Sequence, residues 1–252
     1  MTDQPVVIIT GSSRGIGRAA AETLAERGWA VVVSSRSSES CEPVAEAIRQ
    51  AGGQAHAIAC HIGHEDQLEA LVAATLERFG RLDSVVMNAA SNPIYGPTDQ
   101  ADRKAFDVIM HNNVYSAMRL AHLARPHLGS APDASVVLVS SIAASFGNRF
   151  IGVYGMSKAA EEQLVRNLSL ELGPEGIRVN AVAPGLVKTD FAQALLDDER
   201  MVRYFETTTP LRRLAEPDDI ARVIAFLSGP DSRWLSGQVI TADGGLSVTG
   251  GF

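Results

Sequence analysis

The chain has 252 residues, 46% hydrophobic and 20% charged, enough to bury the core of one large α/β domain rather than a string of small ones. Its net charge of −7 withholds the basic footprint of a nucleic-acid binder. Two cysteines, Cys41 and Cys60, form no disulfide framework, and no apolar run approaches the roughly 18 residues of a membrane span.

The amino terminus, MTDQP, has no basic leader, and the closing TGGF is not a peroxisomal address, so a cytoplasmic protein is expected. In chain order, β-rich apolar runs recur as PVVIIT, WAVVVSS, AHAIAC, DSVVMNA, ASVVLVSS, IRVNAVAPG and GQVITADGG. Seven strands are expected. Between most of them lie stretches such as EPVAEAIRQAGG, EDQLEALVAATLERFG and EPDDIARVIAFLSG. Apolar residues at spacings of three and four, often with a glycine stop, mark these as amphipathic helices. Such alternation requires crossover connections, hence a doubly wound α/β fold: one domain over residues 1–252, with a seven-stranded parallel sheet covered by helices on both faces.

No linker or repeat divides the sequence; SAPDAS, Ser130–Ser135, only separates a helix from the next strand. The irregular stretch Leu186–Pro210 reads as short helices. Ligands of doubly wound sheets bind outside the carboxyl ends of the strands, so this insertion is placed to act as a lid. Its Phe191, Leu195, Leu196, Met201 and Phe205 are costly to leave in water.

Directly after the first strand comes TGSSRGIGR. Gly11, Gly15 and Gly17 permit positive φ and let the backbone approach a bulky anion, while free N–H groups open the next helix. Ser13, Arg14 and Ile16 complete the loop, and a dinucleotide pyrophosphate is its natural guest. The bare glycine pattern is weak; its position after a first strand strengthens it. About 20 residues further on, where NAD sites place a carboxylate, the second strand ends in SSRSS with Arg36 and no acid. Arg36, with Arg14 in reach of the same phosphate and no opposing acid, favours NADP(H), with NAD(H) as the alternative.

YGMSK puts Tyr154 and Lys158 four apart on one helix face. A tyrosine starts near pKa 10, so acid–base work at neutrality requires a shift of about two to three units. An ammonium about 4 Å away contributes ~1 kcal/mol in bulk water and ~4 kcal/mol at an effective dielectric near 20. The pair therefore needs a partly dry cleft. Upstream, VVLVSS delivers Ser140 and Ser141 to the carboxyl edge of the sheet.

With TGSSRGIG, MNAA, HNNV, the SS before YGMSK, and NAVAPGLVKT, the chain resembles the short-chain dehydrogenase/reductase family over essentially its whole length, in the branch of about 250 residues. The resemblance implies a Rossmann fold, an oxidoreductase acting on a small carbonyl or alcohol substrate, and a catalytic tetrad of Asn113, Ser141, Tyr154 and Lys158. Family spacing selects Ser141 over Ser140 and Asn113 over Asn112. By resemblance, Ser141 donates a hydrogen bond to the carbonyl oxygen and Tyr154 protonates it as hydride arrives from the nicotinamide. Lys158 lowers the tyrosine pKa and binds the nicotinamide ribose, while Asn113 holds a water chain. Pro184 and Gly185 turn beneath the nicotinamide, with Val187 and Thr189 at its carboxamide. Asn88 and Ala89 lie beside the adenine ribose, Ala90 standing for the family's usual glycine.

The sequence departs from the family at ACHIG, where His61, followed by Ile62, replaces the common aspartate that faces the adenine amino group. Contact with adenine and a simple strand-end histidine both stay open. CHIG, NAASNP and PLRRLAEP look most like the branch of NADP-dependent carbonyl and retinal reductases. A homotetramer, or a dimer, built through the long helices is implied.

Ala143, Phe146, Phe150, Leu186 and Phe191, with Asn92, Pro93 and Tyr95, are candidate substrate contacts beside Ser141 and Tyr154. Their apolar character suits a hydrophobic ketone, aldehyde or secondary alcohol. No membrane, nucleic-acid or metal partner is expected. A 3-oxoacyl carrier-protein reductase is the enzymatic alternative, but its acidic carrier wants a basic surface where AAEEQLVRNLSLELG offers Glu161 and Glu162 against Arg166. A catalytically silent NADP(H)-binding regulator is the non-enzymatic alternative, although such proteins can lose the tyrosine or lysine and both are present here.

Overall fold

Each β-rich run folds as a strand in the computed structural model, which describes residues 2–129, 131 and 133–248. Ser130 and Pro132 of SAPDAS and the terminal TGGF, Thr249–Phe252, lie outside the described residues. The strands are β1 (Val6–Thr10), β2 (Ala30–Ser35), β3 (Gln54–Ala59), β4 (Ser84–Met87), β5 (Ser135–Val139), β6 (Arg178–Pro184) and β7 (Val239–Ala242). They form one sheet in the order β3-β2-β1-β4-β5-β6-β7, every pairing parallel. β1, β4, β5 and β6 are buried along their whole length, which is why they read as unbroken apolar runs rather than alternating ones. The strand order reverses between β1 and β4, where Ile8 pairs with Val85, and a crevice opens at their carboxyl ends.

The helices are α1 (Gly15–Glu26), α2 (Ser38–Gln50), α3 (Glu65–Phe79), α4 (Arg103–Met110), α5 (Ser116–Leu128), α6 (Gly152–Leu172), α7 (Gln193–Leu196), α8 (Glu199–Thr208) and α9 (Pro217–Ser228). Alternate strand residues feed two cores. Val6 and Ile8 pack with Leu71 of α3, Leu120 of α5 and Leu168 of α6. Val7 and Ile9 pack with Leu24 of α1, Ile48 of α2 and Ile224 of α9. α2 starts four residues ahead of EPVAEAIRQ because Ser37 caps it, its side chain accepting the Ser40 N–H at 3.2 Å.

Two local features shape the crevice. α4 runs into α5 through a single π-helical turn, His111–Tyr115, whose extra residue accompanies the burial of Asn112 and Asn113. The stretch from Leu186 to Pro210 forms a 3-10 turn at Asp190–Ala192 followed by α7 and α8. Phe191 there remains 56% exposed and Leu195, Leu196, Met201 and Phe205 only partly buried; Phe191 and Leu195 line an open cleft instead of filling a core. Among the described residues, no helix is long and apolar enough to cross a membrane, and no group of His, Cys, Asp or Glu is placed to hold a metal ion.

Candidate active site

A cleft of about 610 Å³ runs along the carboxyl edge of the sheet, from Ser35, Arg36 and His61 at one end to Ser141, Tyr154 and Phe191 at the other. Gly11 and Gly15 of its floor sit at φ +67° and +55°, a region that side chains avoid. Gly17 is required by packing: a Cβ there would collide with the Gly11 carbonyl and lie 2.5 Å from Asn88 Nδ2. α1 starts without a side-chain cap, so its first N–H groups have no side-chain partner where Gly15 and Ile16 line the cleft.

The loop is clamped from β4. The backbone N–H groups of Asn88 and Ala89 both donate to Thr10 Oγ1 at 3.1 Å. Asn88 Nδ2 donates to the carbonyls of Thr10 and Gly11 at 3.0 Å each. Asn88 and Ala89 line the cleft as expected, but the Asn88 amide nitrogen is committed to the loop's shape. Sequence reasoning missed Thr10 and Ser12. Ser12 Oγ donates to the Ile9 carbonyl at 2.7 Å and accepts the Ser34 N–H at 2.8 Å, tying the loop to β2.

At the far end, Arg36 is exposed and has no carboxylate at ion-pairing distance among the described residues. Arg14 corrects the expectation of an unopposed guanidinium. Its Nη1 lies 3.1 Å from Asp190 Oδ2 across the mouth of the cleft, a pair invisible in either local segment. Both side chains are mostly exposed, so the bridge contributes only ~0–1 kcal/mol. Burial, then His64 and Arg36, hold the His61 imidazole below its ordinary value, which keeps it neutral. His61 Nδ1 accepts the Gly63 N–H at 3.1 Å, leaving the proton on Nε2. This ring therefore offers a donor where the family's aspartate offers an acceptor.

The other end of the cleft is built on α6 and the turn after β5. Tyr154 and Lys158 lie one helical turn apart, only 8% and 2% exposed, with the ammonium 5.5 Å from the phenol ring centre. Ser141 lies near enough to the phenol to pull its pKa down, and its hydroxyl accepts the Ala143 N–H at 3.1 Å. Lys158 Nζ donates to the Val139 carbonyl at 2.8 Å and to both Glu161 oxygens at 2.9 Å. Burial works against that ammonium, but Glu161 and Tyr154 outweigh it and hold the group above its ordinary value.

Two expectations are corrected here. Lys158 does pull Tyr154 down as expected, but not below its ordinary value: burial pushes the phenol up more strongly, Glu161 adds to that, and Ser141 pulls down. Nor is Glu161 a surface charge, being only 4% exposed, while neighbouring Glu162 accepts from Ser140 Oγ at 3.0 Å.

Asn113 lies behind the cleft rather than in it. Its Oδ1 accepts the Ser91 N–H at 2.7 Å, and its Nδ2 donates to the Ser91 carbonyl at 3.1 Å and to Ser157 Oγ at 2.9 Å. The amide thus braces the segment after β4 against α6.

The other named residues divide cleanly. Ser13, Ile16, Ile62, Pro184, Gly185, Leu186, Val187, Thr189, Asn92, Pro93 and Tyr95 all line the cleft. Ala143, Phe146 and Phe150 lie outside its lining. The Ala143 carbonyl abuts Gly155 of α6. Phe146 and Phe150 are half exposed, and Phe150 stacks on Tyr95 with ring centres 5.2 Å apart, supporting the rim from outside. Phe191 approaches Tyr154 to 5.7 Å between ring centres. Ser91, Val108, Ile151 and Ala194 also face the cleft; no local motif marks them, because long-range packing brings them there.

Known proteins share this architecture. A family model described as enoyl-(acyl carrier protein) reductase matches residues 11–247. The chain is 35% identical over 245 residues to dehydrogenase/reductase SDR family member 4 of Sus scrofa, covering 97% of this chain and 88% of that protein. It is 37% identical over 245 residues to 7α-hydroxysteroid dehydrogenase of Escherichia coli strain K12, covering 96% and 94%. A short-chain dehydrogenase/reductase from Mycobacterium ulcerans superposes with a TM-score of 0.92 at 30% identity, over 98% of this chain and 91% of that one. A 7α-hydroxysteroid dehydrogenase complexed with NADH and 7-oxo glycochenodeoxycholic acid gives 0.92 at 35% identity, over 96% and 94%. Likeness at this level in both sequence and backbone makes the chain a member of the short-chain dehydrogenase/reductase family of oxidoreductases.

Proposed function

We propose that the protein is an NADP(H)-dependent oxidoreductase interconverting a hydrophobic ketone or aldehyde and its alcohol, with Ser141, Tyr154 and Lys158 as catalytic residues and Asn113 as their brace. The observation that carries this reading is the meeting of a buried phenol and ammonium with a partly buried hydroxyl at one end of a cleft whose other end is a glycine cradle. NADP(H), when bound, supplies or accepts the hydride. The cradle of Gly11, Gly15 and Gly17 fits a pyrophosphate, since side chains at these positions would fill the space or strain the backbone. Ser141 holds the carbonyl oxygen and Tyr154 gives it a proton. Reduction uses the protonated phenol, the form that burial favours; alcohol oxidation uses the phenolate, which the same burial opposes.

Arg36 supports the preference for NADP(H), because an exposed guanidinium free of carboxylates suits a 2′-phosphate. Arg36→Ala is expected to weaken NADPH binding ten- to a hundred-fold, in line with about 1.5–3 kcal/mol for a charged hydrogen bond, and to leave NADH binding unchanged. Fluorescence titration with both nucleotides reads the ratio; equal affinities in the parent protein contradict the preference.

Residues 186–210 act in this reading as a lid within one catalytic domain. Phe191→Ala should raise KM for apolar ketones about five- to tenfold, as expected for losing part of the ~1.5–3 kcal/mol of a buried phenylalanine, with NADPH affinity unaltered. An unchanged KM removes Phe191 from the substrate site.

A panel of ketones, aldehydes and secondary alcohols, followed by the absorbance of reduced nicotinamide, tests the function itself. Apolar carbonyls should turn over. NADPH binding without turnover of any substrate would instead favour the silent regulator. The carrier-protein reductase gains one point from the burial of Glu161, which removes an acidic charge from the helix surface, but only Arg166 there is basic. Two buried thiols support a reducing cytoplasm, and the exposed Leu170 and Trp234 support association into a homotetramer or dimer.

A further inference from the structure

Tyr154, Lys158 and Glu161 follow one another at i, i+4 and i+7 along α6, so they share a single stripe of the helix. Lys158 has three donors, and all three are taken: one by the Val139 carbonyl and two by the Glu161 carboxylate. The side chains of this pair are only 2% and 5% exposed, so neither charge is screened by solvent. Above its own titration the carboxylate opposes the ammonium's field at the phenol.

We propose that Glu161 is a positioning residue of the reaction: it holds the Lys158 ammonium against Val139, and its charge sets how much of the ammonium's field reaches Tyr154. The inference rests on the proposed reaction. It also implies that a ribose hydroxyl arriving at Lys158 must displace a Glu161 oxygen, so the carboxylate weakens nucleotide binding as well.

The surroundings leave few other groups to consult. On its own helix Glu161 is faced by Lys158, Tyr154 and Glu162. The elements packed against it contribute the Val139 carbonyl from β5 and, around a cavity of about 10 Å³ that Glu161 also lines, Thr10, Asn113 and Ser116, none of which ionises. Burial pushes the Glu161 carboxyl up to about 7 although Lys158 pulls it down. Its negative charge is therefore complete only in the alkaline range, where a tyrosine loses its proton, and there it opposes that loss.

With Lys158 still protonated, a state the Tyr154 phenolate also favours, removing the negative charge stabilises the phenolate, so the Tyr154 titration moves to lower pH. Ultraviolet difference titration of tyrosinate, run without nucleotide and with Tyr154→Phe as the blank, isolates this residue from Tyr95, Tyr115 and Tyr204. Glu161→Gln is expected to lower the midpoint by about one unit or more, the size usual for a charge at 4–6 Å. It should also shift the pH profile of alcohol oxidation in the same direction and tighten NADPH binding several-fold. Glu161→Leu, which fills the space with an apolar side chain, should do the same.

A midpoint unchanged in a folded variant overturns the proposal. Failure of both variants to fold overturns it too, since Glu161 is then a structural partner only. If the parent reduces no carbonyl, the proposed reaction fails on its own account, while the tyrosinate titration still reports whether Glu161 controls Tyr154.

Discussion

Tyr154→Phe lowers carbonyl turnover by about a thousandfold or more and leaves NADPH affinity within a few-fold of the parent. Positioned general acids contribute typically ~10²–10⁴ in rate, and the phenol lies near Ser141 at the buried end of the cleft. Phenylalanine keeps the ring, and with it the tilted contact to Phe191 and the burial of the α6 stripe, so the loss is one of chemistry rather than of shape. Steady-state turnover read beside nucleotide titration separates the two. Equal losses in turnover and in nucleotide binding would mean that the residue builds the site without carrying its proton.

Gly17→Ala is the second large effect, and it acts on the other end of the cleft. The new Cβ meets the Gly11 carbonyl and the Asn88 amide nitrogen, neither of which can yield freely. That nitrogen holds the carbonyls of Thr10 and Gly11, so displacing it opens the clasp that shapes the loop. Overpacking of this kind costs about 1–3 kcal/mol, and a nucleotide site built from backbone N–H groups should lose at least tenfold in affinity as the loop shifts. Chemical denaturation and NADPH titration measure the two losses. Gly147→Ala is the control: its Cβ would meet nothing within 4 Å, so neither quantity should change. A Gly17 variant that behaves like the control contradicts the account of the cradle.

Much of this architecture was legible because its determinants are local. A strand buried on both faces writes itself as a continuous apolar run, and the glycine loop and YGMSK each fit within a few turns of chain. The strand order places both at the same sheet edge, and the resemblance to a family of known order supplied that step. What stayed hidden depends on distance along the chain. The Arg14–Asp190 pair spans 176 positions, so no local reading shows that the loop arginine is opposed. Phe146 and Phe150 look like pocket residues by composition, yet the turn after Ser141 directs them to the rim.

Glu161 differs from these, because a signal for it did exist. The stripe through Tyr154, Lys158, Val165, Leu168 and Leu172 is buried, and Glu161 falls on it at helical spacing. An acid on a core-facing stripe is a partner for a buried base, not a surface charge. Reading Glu161 and Glu162 together as one acidic patch overlooked the turn of about 100° between adjacent helical residues.

The central claim is that a carbonyl is reduced at Tyr154 in this cleft, and isotope transfer tests it most directly. NADPH carrying deuterium at its hydride position is incubated with the protein and an apolar ketone, and the alcohol is examined by mass spectrometry. The account predicts deuterium on the carbinol carbon with the parent protein and almost none with Tyr154→Phe. Alcohol formed without the label, or labelled alcohol formed equally well by the phenylalanine variant, would contradict it.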